Sequence, residues 1–213
     1  MKVVVFDLDD TLYKEVDYVK SAFRYIEKHL GCTYGDGVYE VMWNAFLTKE
    51  DVVKVLNEKF GEIISKEQYL EWYRYHTPNI AMESSAIECM GYLKNNNTIM
   101  GIITDGRTTT QMNKVKALGL LKYVEEDDIV ISERFGSQKP SMSNYSYFMD
   151  KYGKADYYYI GDNPSKDFVA PNQLGWTTVC LMDDGRNIHK QDFTLEDIYL
   201  PKIRIDSLED LFV

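Results

Sequence analysis

Val3-Val4-Val5-Phe6 runs without a break into Asp7-Leu8-Asp9-Asp10-Thr11. The first four residues are β-branched or aromatic and suit a short buried strand. The next five put three carboxylates at its exit. An ionised carboxylate at the edge of an apolar core is costly unless it is paired, so this cluster implies a cation to hold it.

Downstream of this stretch the pattern turns helical. Val16, Val19, Phe23, Ile26 and Leu30 fall on one stripe of a helix. Further amphipathic segments are expected over 38–47, 51–60 and 66–76, punctuated by Gly31, the Tyr34-Gly35-Asp36-Gly37 turn and Gly61. Four helices without a strand read as a small bundle inserted after the first strand.

Beyond Pro78, helix and strand alternate. A helix capped by Ser84 or Ser85 leads through Asn95-Asn96-Asn97 into a strand at 99–103 that ends at Thr104-Asp105-Gly106-Arg107. Thr108-x-x-Gln111 has the form of a capping box, and Gly119 that of a helix-terminating glycine. Strands are expected at 129–132, 157–160, 178–181 and 203–205, with a helix over 141–152 and loop over 183–201. Single helices between strands predict right-handed βαβ crossovers and a parallel sheet. The class is therefore α/β.

At 213 residues the chain can bury a substantial core. A net charge of −10 with no basic cluster argues against a nucleic-acid partner. No segment approaches the roughly 20 apolar residues of a membrane span, and the four-residue apolar run at the start is too short for a signal peptide. Cys32, Cys89 and Cys180 are odd in number and widely spaced, which fits inert thiols in a reducing, cytoplasmic setting better than disulfides or zinc. The run Tyr157-Tyr158-Tyr159 suits core packing in a strand.

In open parallel sheets, ligands bind beyond the carboxyl ends of the strands. Asp7, Thr104 and Asp162 each follow an apolar strand, Lys139 lies in a loop after another, and Asp167 lies just beyond Asp162. One or two carboxylates plus a substrate phosphate suffice for magnesium, so the convergence points to phosphoryl chemistry on Mg2+. An EF-hand reading fails, because Leu12 and Tyr18 stand at its glycine and glutamate positions. Asp7 and Asp9, two apart, can face one side of the chain, one carboxylate ionised on a cation to attack phosphorus and its neighbour keeping a proton as acid. Asp10 reads as a turn residue.

Asp7-Leu8-Asp9-Asp10-Thr11-Leu12, Thr104, Lys139-Pro140 and Gly161-Asp162 with Asp167 occur in the order of the four motifs of the haloacid dehalogenase superfamily, and the chain resembles its phosphatase branch over its whole length. The resemblance implies a Rossmann-like core (1–14 and 79–213) with a central parallel sheet flanked by helices, and a small helical cap (15–78) that closes on the substrate. It implies Asp7 as nucleophile and metal ligand, and Asp9 as acid–base group with a metal-binding backbone carbonyl. Thr104 and Lys139 would hold the phosphoryl oxygens, Asp162 would be the second acidic ligand, and Asp167 a supporting one. An acid at Asp9 separates phosphatases from dehalogenases of the superfamily.

Asp105 departs from the usual asparagine. An anion about 5 Å from a phosphate would cost about 3 kcal/mol at an effective dielectric of about 20, so its N–H is expected to face the phosphate, with its side chain pairing Arg107 or the next helix N-terminus. Arg107 is a candidate for a substrate anion or, as isolated arginines usually are, a surface residue. His76 suits a hinge or packing role; Trp43 and Trp72 suit the cap core.

The expected activity is Mg2+-dependent hydrolysis of a small phosphorylated metabolite, a sugar phosphate or nucleotide monophosphate, through an aspartyl-phosphate. A phosphomutase on the same scaffold is the nearest alternative, and a non-catalytic phosphate-binding regulator the more distant one.

Overall fold

The apolar run at the start of the chain becomes β1 (Lys2–Phe6), whose Val3, Val5 and Phe6 are wholly buried. The computed structural model describes residues 1–34 and 37–212; Gly35 and Asp36 of the expected turn, and the side chain of Cys32, lie outside the described residues.

Four helices follow: α1 (Glu15–Tyr34), α2 (Val38–Leu47), α3 (Val52–Phe60) and α4 (Lys66–Tyr75). Val19, Phe23, Ile26 and Leu30, the expected stripe of α1, are buried. Gly31 does not break the helix, since α1 runs on to Tyr34. The Asp51 carboxylate caps α3 by accepting from Val53 and Lys54 N–H at 3.0 and 3.1 Å, and Ser65 caps α4. Asn57 closes the turn between these helices, donating to Ile64 O and accepting from Ile63 N. His76 is buried, its ring between Tyr73 O at 2.9 Å and Ser21 Oγ at 3.2 Å, so packing accounts for it. Trp43 and Trp72 are half-buried; Trp43 stacks on Phe46 at 5.5 Å and Trp72 lies 5.1 Å from His29.

The remainder alternates: α5 (Ser84–Asn95), β2 (Ile99–Thr104), α6 (Thr108–Ala117), β3 (Ile129–Ile131), α7 (Ser132–Phe135), α8 (Met142–Tyr152), β4 (Asp156–Gly161), α9 (Val169–Gln173), β5 (Thr177–Leu181) and β6 (Ile203–Ile205). Glu83, not a serine, stands at the N-cap of α5, which starts at Ser84 itself. The strand expected over 129–132 gives way at Ser132 to the short helix α7.

All six strands pair in parallel in the order β3-β2-β1-β4-β5-β6. The chain moves outward from β1 to β3, then returns to the other side of β1 for β4. That reversal is the topological switch point, and the rule for open parallel sheets places a ligand there, beyond the carboxyl ends of β1, β2 and β4. The core beneath is aromatic: Tyr157 stacks on Trp176 at 4.8 Å, and Tyr145 meets Tyr159 edge-on at 5.0 Å. Tyr157 and Tyr159 of the tyrosine run are buried in this core, while Tyr158 between them is half-buried on the other face of β4.

Contacts divide the chain into two compact units, 1–16 with 81–213, and 17–80. The first carries the sheet; the second carries α2, α3, α4 and most of α1. None of the described helices is long and apolar enough to cross a membrane.

Candidate active site

The strands set the positions of the acidic groups. Asp7 N–H donates to Ile160 O at 2.8 Å, which locks the end of β1 to β4 and places Asp7 beside the exit that carries Asp162. The turn after β4 folds Asp167 back: its Oδ2 accepts from Asp162 N–H at 3.2 Å and Asn163 N–H at 2.8 Å. Carboxylate oxygens of Asp7, Asp162 and Asp167 consequently lie within 4.8 Å of one another, all three residues buried.

Lys139 enters this cluster from the loop before α8. Its Nζ lies 2.8 Å from Asp7 Oδ1 and 2.7 Å from Asp167 Oδ1, with Tyr159 OH at 3.2 Å. Burial works against the Lys139 ammonium, but Asp167 and Asp7 overcome it and push its pKa well up. Burial raises the Asp7 carboxyl to about 6, with Lys139 opposing and Asp167 adding to the shift. Burial, then the negative charges of Asp167 and Asp7, push Asp162 up to about 9. Among the described residues the Asp162 carboxylate receives an amide, Asn187 Nδ2 at 3.1 Å, and no ammonium. Three buried oxygen donors with too little positive charge suit a hard divalent cation.

Asp9 faces a different set of partners. Its Oδ1 accepts from Lys114 Nζ at 2.7 Å and from Tyr13 OH, and its Oδ2 from Gln111 Nε2 at 2.9 Å. Burial raises the Asp9 carboxyl, but the Lys114 charge and these hydrogen bonds outweigh it and leave the pKa below the ordinary carboxylate value. The expectation that Asp9 keeps its proton by sharing a site with Asp7 is therefore corrected. Asp7 is the carboxyl that burial raises, while Asp9 is held by an ammonium of its own, Lys114.

Thr104 ends β2 and is buried, its Oγ1 2.5 Å from Gln111 Nε2. Gln111 thus ties Thr104 to Asp9. The capping box does not form, because Arg107 stands at the N-cap of α6 and the Gln111 side chain is engaged at the site. Glu133 Oε2 accepts from Thr108 N–H at 2.8 Å in its place. The Asp105 side chain joins neither Arg107 nor that helix end: its Oδ1 accepts from Lys139 N–H at 3.0 Å, and its Oδ2 lies 3.9 Å from Lys166 Nζ. Arg107 is 51% exposed and sits 3.6 Å from Glu133, outside the cluster. Asp10 is a turn residue at φ 56°, and it also works as a tether, accepting from Glu15 N–H at 2.8 Å and Ile188 N–H at 3.0 Å.

Four neighbours of the site were not among the expected site residues. Gln111 read only as a capping-box residue, and Lys114 only as a polar residue on the same face of α6 as Val115 and Leu118. Asn187 and Gln191 come from the long loop after β5. Gln191 Nε2 donates to Asp162 O at 2.7 Å and Leu181 O at 2.8 Å, which brings the loop back over the site. Lys14 Nζ lies 2.9 Å from Asn187 Oδ1 and 3.2 Å from Asp184, which anchors the same loop from the first strand's exit. Cys89 and Cys180 are free and buried, and burial pushes both thiols up, Cys89 to about 12.

Residues 4–181 match the family model described as haloacid dehalogenase-like hydrolase. A glyceraldehyde 3-phosphate phosphatase of Methanocaldococcus jannaschii is 28% identical over 226 aligned positions, covering 99% of this chain and 95% of that protein. A protein of the same name from Methanopyrus kandleri is 24% identical with the same coverage. Among solved structures, a hydrolase named YfnB from Bacillus subtilis, bound to magnesium, superposes with a TM-score of 0.66 at 20% identity over 99% of this chain and 96% of its own. A predicted phosphoglycolate phosphatase from Haemophilus somnus superposes at 0.67 with 16% identity over the same shares of the two chains. The motif residues, their convergence at one switch point and the family match lead to one conclusion: the chain belongs to the haloacid dehalogenase-like hydrolases, as a phosphoric monoester hydrolase.

Proposed function

We propose that this protein hydrolyses a small sugar phosphate, a triose phosphate such as glyceraldehyde 3-phosphate, with Asp7 as nucleophile and Mg2+ as cofactor. The observation that carries this reading is the buried Asp7 carboxylate at the end of β1, held by Lys139 and facing Asp162 and Asp167. The substrate class follows the relatives named glyceraldehyde 3-phosphate phosphatase, which match along almost the whole chain.

Asp7 and Asp162 would hold the cation with the Asp9 backbone carbonyl, and Asp167 would support them. When bound, Mg2+ supplies the positive charge that lets a phosphate dianion approach these carboxylates. The rest falls to the chain's own groups. An Asp7 oxygen forms the bond to phosphorus as the bond to the sugar oxygen breaks, and Asp9, whose side chain stays 19% accessible, takes up a proton from solvent and passes it to that oxygen. Asp9 then takes a proton from the water that cleaves the aspartyl-phosphate, returning the Asp7 carboxylate and releasing inorganic phosphate. The Thr104 hydroxyl, the Asp105 N–H and the Lys139 ammonium hold the phosphoryl oxygens. The helical insertion at 15–78 serves as the cap domain.

The test is phosphate release from glyceraldehyde 3-phosphate, larger sugar phosphates and nucleoside monophosphates, with Mg2+ and with chelator. The triose phosphate should give the highest kcat/KM, chelator should abolish turnover, and Asp7→Asn should be inactive. Wild-type turnover in Asp7→Asn would sink the nucleophile; preference for nucleotides would sink the substrate class.

A further inference from the structure

We infer that Lys114, together with Gln111, is the positioning residue for Asp9, a task carried by no part of the four motifs. Lys114 is buried on α6, its side chain 4% exposed, and its ammonium lies 2.7 Å from Asp9 Oδ1. A buried lysine is expensive, and here the gain is a charge-assisted hydrogen bond to a carboxylate that keeps 19% of its side chain accessible. Gln111, one helical turn earlier, donates to the other Asp9 oxygen at 2.9 Å and to Thr104 Oγ1 at 2.5 Å. Both Asp9 oxygens are thus fixed from α6, which leaves the side chain little freedom about χ1 and χ2. The same Gln111 amide sets the distance from Asp9 to Thr104, the residue assigned to the phosphoryl oxygens. Asp7 and Asp9 are divided between two lysines: Lys139 serves the nucleophile, Lys114 the acid–base group.

This role rests on Asp9 being the acid–base group. Lys114 and Gln111 touch Asp9 and need not touch substrate, so their loss should lower kcat and spare KM. Steady-state kinetics on glyceraldehyde 3-phosphate would compare wild type, Lys114→Met, Lys114→Arg, Gln111→Leu, Asp9→Asn and the double variant Asp9→Asn/Lys114→Met. The expected result is a kcat roughly 10²-fold lower in Lys114→Met, within the range lost with a positioned acid–base group, at a KM within about threefold. Lys114→Arg should recover about tenfold of that loss by restoring the charged donor. The double variant should be no slower than Asp9→Asn, because residues acting through one group are not additive. Gln111→Leu keeps the volume and leaves Lys114 in place; a roughly tenfold lower kcat is expected there, and it carries the test should Lys114→Met not fold. Unchanged kcat in Lys114→Met or in Gln111→Leu, or losses that multiply in the double variant, would overturn the positioning role while leaving Asp9 assigned. Wild-type turnover in Asp9→Asn would instead remove the acid–base reading beneath it.

Discussion

At the scale of single residues, the site is an arrangement of carboxylates kept apart by ammonium groups. Among the described residues Asp162 has no ammonium of its own, and its carboxyl is pushed up to about 9 by burial and by Asp167 and Asp7. Asp162→Asn should therefore raise the melting temperature of the metal-free protein and remove the response to Mg2+; a lower melting temperature without metal would contradict that repulsion. Lys139 is the opposite case, because its removal leaves Asp7 and Asp167 buried without their cation. Lys139→Met should cost about 3–5 kcal/mol in denaturant unfolding, the usual loss when one partner of a buried pair is deleted. Asp7, Asp9, Thr104, Lys139, Asp162 and Asp167 were all legible in the sequence because each sits at a strand exit or in a loop beyond one. Lys114 and Asn187 were not. A lysine in a helix and an asparagine in a loop are ordinary surface residues until tertiary contacts bury them against a carboxylate.

At the scale of elements, two glycines show how tightly the helices and turns close on the sheet. A Cβ on Gly101 in β2 would lie 2.3 Å from the Phe148 ring of α8, so Gly101→Ala should cost about 1–3 kcal/mol through overpacking, read by thermal or chemical denaturation. A Cβ on Gly161 at the end of β4 would lie 2.6 Å from Asp167 Oδ2. Gly161→Ala should consequently weaken Mg2+ binding measured by calorimetry more than it weakens the fold; intact affinity would mean that the Asp167 carboxylate is free to move. The elements themselves were readable from periodicity, since Val38–Leu47 and Ile203–Ile205 fall where the pattern places them. The misread piece is the start of α6, where Gln111 has two competing uses. A capping bond to its own backbone lost to a carboxylate and a threonine supplied by other strands.

At the scale of the whole molecule, the acidic cluster couples stability to pH. Asp7 and Asp162 have carboxyls raised from the ordinary value of 3.8 to about 6 and about 9. Between those limits the folded chain binds more protons than the unfolded one, so their contribution to stability falls as pH rises from about 4 through the two folded values. The metal-free protein should lose melting temperature over that interval, and the increment produced by Mg2+ should grow with pH; an increment that shrinks with rising pH would refute the coupling. The amino-acid sequence by itself determined the parallel α/β sheet, the helical insertion and the set of motif residues, because strand and helix periodicity and strand-end placement are local properties of the chain. Only the tertiary structure decided which partner each carboxylate meets: Asp7 the Lys139 ammonium, Asp9 the Lys114 ammonium, Asp162 the Asn187 amide. The physical reason is that such pairing depends on distances of a few ångströms between residues far apart in the chain, 105 positions for Asp9 and Lys114, set by packing across the sheet and not by any local pattern.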